Sequence, residues 1–549
     1  MHRGAKTAIV GGVFAVMVGG AGYGAYNFLN ALNSSAGGPG SSVGGPAHKK
    51  TGPPSASEVK EAGTKFLAAW AKGDAATAAS YTNNTEAAEQ LLTAYGGDAH
   101  IGAVHITPGA LSGDSLPFSV KATVSFEGKS KPLAYNSTLK VVRGMTTGRA
   151  LVDWEPSVVH PALEKGDTLV TGEAKVPPIE AVDRNGVVLT GKKYPSLGPI
   201  LDALRAKYGD KAGGRPGIEL SVVRADGSAP VKTLLTLAKG RPGKLQTTLS
   251  AGAQGAAERA VTQYAESSVV AVKPSTGEVL AVANHRKDEF NAAFEGRLAP
   301  GSTMKIITAA MLIDNGVTTM NGPAPCPASA VWQSQTFTNL KGMAPDDNAT
   351  LANTFMRSCN TAFVKLIDEN PLTDASLTAE AQERFGLGRD NWKTGITSFD
   401  GSIPASSGPD RAANAIGQGQ VQMSPLNMAS VTATAITGTF RQPYLVSPGL
   451  DDRQLATARG LAPGTVAQLK TMMRLTATQS PGTAVRAMAG LGPDIGAKTG
   501  SAEVDGQTKS NSWFTGYRGD IAAAAMTQEG GHGGDAAGPI VAAVLRTGG

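Results

Sequence analysis

Cysteine is nearly missing from this 549-residue sequence: Cys326 and Cys359 are the only two. They leave room for one disulfide at most, with two separate buried thiols as the alternative. Histidine numbers seven, and no His-Glu-x-x-His occurs, which excludes a zinc protease region of that type. His100 and His105 lie in strand-like or loop stretches and read as ordinary residues, not metal ligands. Aromatic residues make up 5% of the chain. No basic face interleaved with aromatics appears, so nucleic acid is not an expected partner. The net charge of +6 is mild for this length and suits a surface facing an anionic polymer or lipid only weakly. Charge is absent altogether from residues 8–29, "AIVGGVFAVMVGGAGYGAYNFL", with Arg3 and Lys6 before them. The run has the length of a membrane span, and its basic flank keeps the amino end in the cytoplasm. An uncleaved signal anchor is expected over residues 1–30, with a cleaved signal peptide as the rival. No second span of this kind follows, so the rest of the chain is expected outside the cytoplasm, on a single-pass protein of the cell membrane. Both cysteines fall in that exported part, where a disulfide is permitted.

The length calls for about two to four domains. Residues 31–56 are rich in Gly, Ser and Pro and read as a flexible tether. In 57–160, Val59, Ala62, Phe66, Leu67 and Trp70 fall on one helical stripe, and four strand-like stretches follow. A small α+β domain with a curved sheet over a helix is expected there. Residues 161–243 carry turn signals at Asn185-Gly186 and Asp226-Gly227 between strand-like runs, and read as a β-rich domain with one helix. Residues 244–549 form the largest block. It opens with a helical stretch, "KLQTTLSAGAQGAAERAVTQ", followed by a hairpin in "SSVVAVKPSTGEVLAVAN".

Serine followed three places later by lysine occurs at Ser57/Lys60, Ser137/Lys140 and Ser302/Lys305. The Ser137 pair lies in an alternating, strand-like stretch, where positions three apart face opposite sides. Ser57 follows a linker and reads as a helix cap. Ser302 follows Pro300-Gly301 and precedes "IITAAMLI", a tight turn into a buried helix. On a helix Lys305 shares a face with Ser302. Two further elements stand later in the chain: Ser358-Cys359-Asn360, the one Ser-x-Asn in the sequence, and Lys498-Thr499-Gly500 between strand-like runs. Lys-Thr-Gly recurs at Lys393 in a turn-rich stretch, which reads as surface loop.

This ordered set resembles the penicillin-recognising serine acyltransferases, and more closely the monofunctional, class B penicillin-binding proteins. The resemblance runs from about residue 244 to the end and includes "VAVKPSTGEVLAVAN" and "GQGQVQMSPLNMA". Residues 57–160 resemble the nuclear-transport-factor-2-like domain of the methicillin-resistance type, with "VDWEPSVVHPAL" as its exit. "AVDRNGVVL" is similar to the dimerisation-domain signature of class B proteins, without the usual arginine-glycine opening. The resemblance implies a multidomain chain. Its α+β transpeptidase domain, an antiparallel sheet flanked by helices, would follow a cone-like α+β domain and a β-rich dimerisation-type domain. It implies a peptidoglycan D,D-transpeptidase that works through a serine acyl-enzyme and is acylated by β-lactams, with no metal or cofactor. Ser302 would be the nucleophile and Lys305 its base. Ser358 would pass the proton to the leaving amine, and Asn360 would orient the substrate's peptide bond. Lys498 and Thr499 would bind a terminal carboxylate, and Lys498 would be the cation that keeps Lys305 neutral. Gly500 would let the substrate backbone lie close. The N–H groups of Ser302 and Ser501 would form the oxyanion hole. Cys359 stands where the family often has Asp, Ser or another small residue, and its thiol reads as buried or bonded.

The partners implied are peptidoglycan stem peptides, β-lactams, a membrane glycosyltransferase of the shape, elongation, division and sporulation family, and divisome or elongasome proteins. A D,D-carboxypeptidase is the alternative reading. A β-lactamase or a non-catalytic cell-wall scaffold fits less well: no Glu-x-x-x-Asn lies between Asn360 and Lys498, and all three motifs are intact.

Overall fold

The computed structural model describes residues 51–224 and 232–548. The expected signal anchor, most of the tether and the Asp226-Gly227 turn lie outside them. Among the described residues no helix is long and apolar enough to cross a membrane.

The amino-terminal unit opens with helix α1 (Ala56–Ala71), whose stripe of Val59, Phe66, Leu67 and Trp70 is buried. Its cap is Ser55, in a reciprocal pair with Glu58, and not Ser57 as the sequence suggests. The cap belongs one turn before the apolar stripe begins, and Ser57 lies inside the helix. An antiparallel sheet β1 (Ile101–Pro108), β2 (Ser115–Phe126), β3 (Lys129–Arg143) and β4 (Ala150–Asp153), in that order, closes over α1. Alternate residues of β2 (Leu116, Phe118, Val120, Ala122 and Val124) face the helix and are buried.

The middle segment holds β5 (Thr168–Glu173), β6 (Ile179–Val182), β7 (Val188–Leu189), helix α2 (Leu197–Tyr208), β8 (Ile218–Val223), β9 (Lys232–Ala238) and β10 (Gly243–Gln246). It has no core of its own. Leu169, Leu220, Val222 and Leu237 pack into the amino-terminal core. Leu189, Leu197, Ile200, Leu204 and Leu245 pack into the carboxy-terminal one. The segment is therefore a bridge whose two small sheets, β5-β8-β9 and β10-β6-β7, each lean on a neighbour. Residues 244–246, expected to begin a helix, lie instead in β10, which pairs in parallel with β6. The helix starts only at Ser250, which caps α3 (Ala251–Val261).

The carboxy-terminal block is built on one five-stranded antiparallel sheet. Its strands are β11 (Ser267–Val272), β12 (Val279–His285), β15 (Ile495–Ala502), β16 (Asn511–Arg518) and β17 (Ile521–Thr527), in the order β12-β11-β17-β16-β15. A two-stranded hairpin, β13 (Ser329–Trp332) and β14 (Gln335–Thr338), stands apart. The sheet is covered on both faces, so β17 at its centre is buried at every position and apolar up to its last residue instead of alternating. In β17, Ile521, Ala523 and Ala525 enter one cluster while Ala522, Ala524 and Met526 enter the other. On that second face lie α4 (Lys305–Asp314), α5 (Leu351–Arg357), α6 (Asn360–Leu366), α7 (Gly408–Ala415), α8 (Pro425–Thr437) and α9 (Pro463–Thr478). Helices α3 and α10 (Ala537–Leu545) cover the first. β15 is the edge strand, and its free edge faces the turn that opens α4.

Cys326 and Cys359 form a disulfide across 33 residues, pinning the start of α6 to the segment ahead of the β13–β14 hairpin. Closing a loop of that length stabilises by about 3–4 kcal/mol on the chain-entropy view. Replacing both cysteines by serine should lower the urea-unfolding stability of the carboxy-terminal block by about that much. An unfolding curve indifferent to reductant, with both thiols free on peptide mapping, would contradict the pairing.

Candidate active site

The site forms where three elements meet: the turn into α4, the junction of α5 and α6, and the edge strand β15. Pro300 and Gly301 start a 3-10 turn, Gly301–Met304, that runs directly into α4. Gly301 sits at φ +54°, and a Cβ there would lie 2.4 Å from Ser501 O. Only glycine lets this turn touch β15. Gly500 answers from the strand: its Cβ would lie 2.7 Å from Pro300 O. Gly417 holds the turn from behind, accepting from Gly301 N at 2.8 Å. A Cβ on Gly417 would fall 1.8 Å from Gly301 O. Ser302 is half-buried at the open end, inside the first helical turn, where backbone N–H groups have no intrahelical acceptor.

Lys305 is one turn on and has no exposed surface. Its Nζ lies 2.8 Å from Ser302 Oγ, 3.0 Å from Ser358 O and 2.6 Å from Asn360 Oδ1. Lys498, on the same face of β15 as Gly500, is equally buried and donates to Ser358 Oγ at 2.7 Å and to Thr499 O at 2.9 Å. Ser358 thus stands between the two lysines. It can do so because it ends α5 in the left-handed region, at φ 63° and ψ 35°, which turns its carbonyl to Lys305 and its hydroxyl to Lys498. A serine there is strained and is held by its surroundings. Phe363 lies under Lys305 and Phe355 under Lys498, with ring centres 5.5 and 5.6 Å from the Nζ atoms.

Burial, then the neighbouring Lys498 charge, drive the Lys305 ammonium well below the ordinary lysine range of 10.5, while Glu503 opposes the fall. Burial pushes Lys498 down to about 7. Both shifts have the sign expected for ammonium groups out of water. The repulsion between the two ammonium groups is mutual, so a charge held on Lys498 favours the neutral form of Lys305. A neutral Nζ 2.8 Å from a hydroxyl can accept its proton.

Every residue expected at the site from the sequence converges there. Ser302, Ser358, Asn360, Thr499, Gly500 and Ser501 line one cleft, with Lys305 and Lys498 beneath them. Lys393 is exposed on an irregular loop, tied by its backbone to Gln442 and Arg453, and is not in the cleft. A further Lys-Thr-Gly, at Lys50, lies at the end of the tether. Among the described residues no cluster of His, Cys, Asp or Glu could hold a metal ion.

Several participants carried no sequence signal. Asn339, after β14, accepts from the N–H groups of Asn360 and Thr361 at 2.7 and 3.1 Å and so fixes the start of α6. Thr483 shares a 2.6 Å hydrogen bond with the Thr499 hydroxyl. Gln418 donates to Glu503 at 2.8 Å, across the cleft. These contacts join residues far apart in sequence, and single-residue chemistry did not mark them. Gly417 and Gln418 do fall in the quoted "GQGQ" stretch, which was legible as a motif but not as a wall of the site.

Comparison with known proteins agrees with this geometry. Residues 267–546 match the model of the penicillin-binding protein transpeptidase domain, and residues 58–167 match the NTF2-like N-terminal transpeptidase domain. The chain is 32% identical to the peptidoglycan D,D-transpeptidase PbpA of Mycolicibacterium smegmatis, across 56% of this chain and 74% of that one. It is 28% identical to PbpA of Mycobacterium tuberculosis, across 48% and 61%. Among solved structures it resembles Pseudomonas aeruginosa PBP2, with a TM-score of 0.53 and 22% identity over 68% of this chain and 96% of that one. It also resembles a chain of a peptidoglycan synthase complex, at TM-score 0.52 and 20% identity over 71% and 93%. The solved structures share the fold; the domain matches and the mycobacterial relatives decide the family. With its transpeptidase domain matched over more than half its length, behind an NTF2-like unit, the chain belongs to the penicillin-binding proteins.

Proposed function

We propose that this chain is a peptidoglycan D,D-transpeptidase that joins stem peptides through an acyl-enzyme on Ser302 and is acylated there by β-lactams. The observation that carries the reading is the Lys305 Nζ, fully buried and 2.8 Å from Ser302 Oγ. A serine hydroxyl is a weak nucleophile without an adjacent base, and an ordinary lysine is too protonated to be one. Burial beside a second lysine removes that obstacle.

The steps follow from the geometry. Lys305 takes the Ser302 proton as Oγ attacks the carbonyl carbon of a D-Ala-D-Ala-type terminus. The negative oxygen is met by the N–H groups of Ser302 and Ser501, each worth about 3–4 kcal/mol to the transition state. Lys498 and Thr499 hold the terminal carboxylate. Binding of that anion favours the charged form of Lys498, which in turn favours neutral Lys305. Ser358, bonded to Lys498 and beside Lys305, passes the proton to the departing amine. Asn360 orients the donor peptide from α6. A second amine then resolves the ester. Residues 161–243 serve as the dimerisation-type segment of the class B proteins, a reading supported by "AVDRNGVVL" and by their bridging position. The uncharged run at 8–29 anchors the protein in the cell membrane with its bulk outside the cytoplasm. Its partner is a membrane glycosyltransferase that supplies the glycan strands to be cross-linked. The resemblance to a chain of a peptidoglycan synthase complex supports this pairing.

Penicillin treatment followed by intact-mass and peptide mapping should place one adduct on Ser302. Ser302→Ala should abolish it while costing the fold at most about 1 kcal/mol, the worth of a helix cap. An adduct that persists in Ser302→Ala, or maps to Ser57 or Ser137, would refute the assignment.

Lys498→Ala should slow acylation by two or more orders of magnitude, on the order of a lost oxyanion-type contact, because it removes both the carboxylate partner and the second cation. Lys393→Ala should leave the rate near that of the parent, since its side chain is exposed and outside the cleft. The opposite pattern would move the third motif to Lys393.

The second-order acylation rate reports groups of the free enzyme. It should rise with pH as Lys305 loses its proton, far below the ordinary lysine range, and fall above about 7 as Lys498 loses the charge that meets the penicillin carboxylate. A rate that keeps climbing to 10.5 would mean that Lys305 is an ordinary lysine.

A further inference from the structure

The cleft is built to receive an anion first, yet it carries one carboxylate. Of the residues that line it, Glu503 alone is acidic. It follows β15 directly, two residues past Ser501, and is exposed. Its contact across the cleft is the 2.8 Å hydrogen bond from the Gln418 amide, on the loop after α7 that also buttresses Gly301. No lysine or arginine pairs with it among the described residues. Gln418 is neutral and occupies one of the roughly four lone-pair sites of a carboxylate, so it fixes Glu503 without cancelling its charge. Glu503 is also felt at the base, where its charge raises the Lys305 pKa against the dominant lowering. A negative charge in that place works against the first half of the reaction, in which the donor's carboxylate must approach Lys498. It favours the second half. The amine that resolves the ester reaches the site from neutral water mostly as an ammonium, because α-amino groups titrate at about 8 and side-chain amines at about 10.

We infer that Glu503 is a specificity-determining residue for the acceptor, receiving the ammonium of the amine that resolves the Ser302 acyl-enzyme. The class of acceptor it selects is a cationic amine over a zwitterionic or anionic one. The inference rests on the transpeptidase reading. In the step it serves, the held ammonium gives one proton to water. The amine lone pair then forms the C–N bond to the acyl carbon, the C–Oγ bond breaks, and the second proton leaves nitrogen through Lys305 Nζ to Ser302 Oγ. The products are the amide and the free serine, with no oxidant, reductant or further reactant. Gln418 holds the carboxylate between turnovers, and an incoming ammonium takes the remaining lone pairs.

The test uses the full chain with an N-acyl-D-alanine thioester as donor and two acceptors of different charge, glycinamide (a cation) and glycine (a zwitterion). The readout is the ratio of the two amide products, measured for each variant. Comparing the ratio between variants cancels the intrinsic basicity of the two amines. Glu503→Gln should lower the glycinamide-to-glycine ratio about fivefold at low salt, the scale of an exposed charge pair. Glu503→Lys should lower it further, and Glu503→Asp should restore the parent preference. Added salt should bring the parent toward Glu503→Gln. A ratio that is the same in the parent, Glu503→Gln and Glu503→Lys would overturn the assignment while leaving the transpeptidase reading standing. A parent that is acylated yet forms neither amide, releasing only hydrolysed donor, would overturn both.

Discussion

Two lysine side chains are kept out of water on either side of one serine, and much of the carboxy-terminal block serves to hold them there. Lys305 and Lys498 both have no exposed surface, and Ser358 lies between them. Neither can carry a full charge cheaply in that setting, and two full charges at once would be worse. A charge on either one therefore disfavours a charge on the other. In the mechanism we propose, that condition would let Lys305 take the proton of the Ser302 hydroxyl, 2.8 Å away. It also explains the aromatic floor of Phe355 and Phe363, which gives a partial welcome to charge while excluding water.

Holding the lysines together requires backbone to approach backbone more closely than side chains allow. Gly301, Gly417 and Gly500 make that approach, each at a position where a Cβ would fall within 2.7 Å of a neighbouring carbonyl oxygen. The turn before α4 is clamped between the edge strand and the loop after α7, so the position of Ser302 is set by main chain. The α5–α6 junction is fixed by other means: the left-handed Ser358, the Asn339 amide that gathers two N–H groups, and the disulfide at Cys359. The natural edge of β15 stays open between these supports, which is where an extended peptide can lie.

The parts legible in the sequence were those whose chemistry sits in a few consecutive residues. Ser302 and Lys305 share a helical turn; Lys498, Thr499 and Gly500 are consecutive on a strand; Val59 to Trp70 mark a stripe by spacing alone. What could not be read there depends on partners hundreds of residues away. Nothing near Asn339 announces that it will orient Asn360, and nothing near Gln418 announces Glu503. The middle segment shows the same limit at the scale of a domain. Its strand and turn signals at 179–189 are local, and β6 and β7 pair there as an antiparallel hairpin. Its lack of a private core is a tertiary fact, visible only when Leu169 is found in one neighbour's core and Leu197 in the other's. The misplaced helix start at 244–250 has the same origin. Lys244 and Leu245 pair with Glu180 and Ala181, and that pairing overrides local helical preference.

The central claim is that Lys305 is neutral where ordinary lysines are charged, and a direct titration tests it. Lysine residues labelled with carbon-13 at Cε report their own protonation by chemical shift, and loss of one signal in Lys305→Arg assigns the resonance. The account predicts that this signal titrates well below the 10.5 of an ordinary lysine, and that it moves upward when Lys498 is replaced by alanine. A Lys305 resonance titrating near 10.5, unmoved by the loss of Lys498, would contradict it.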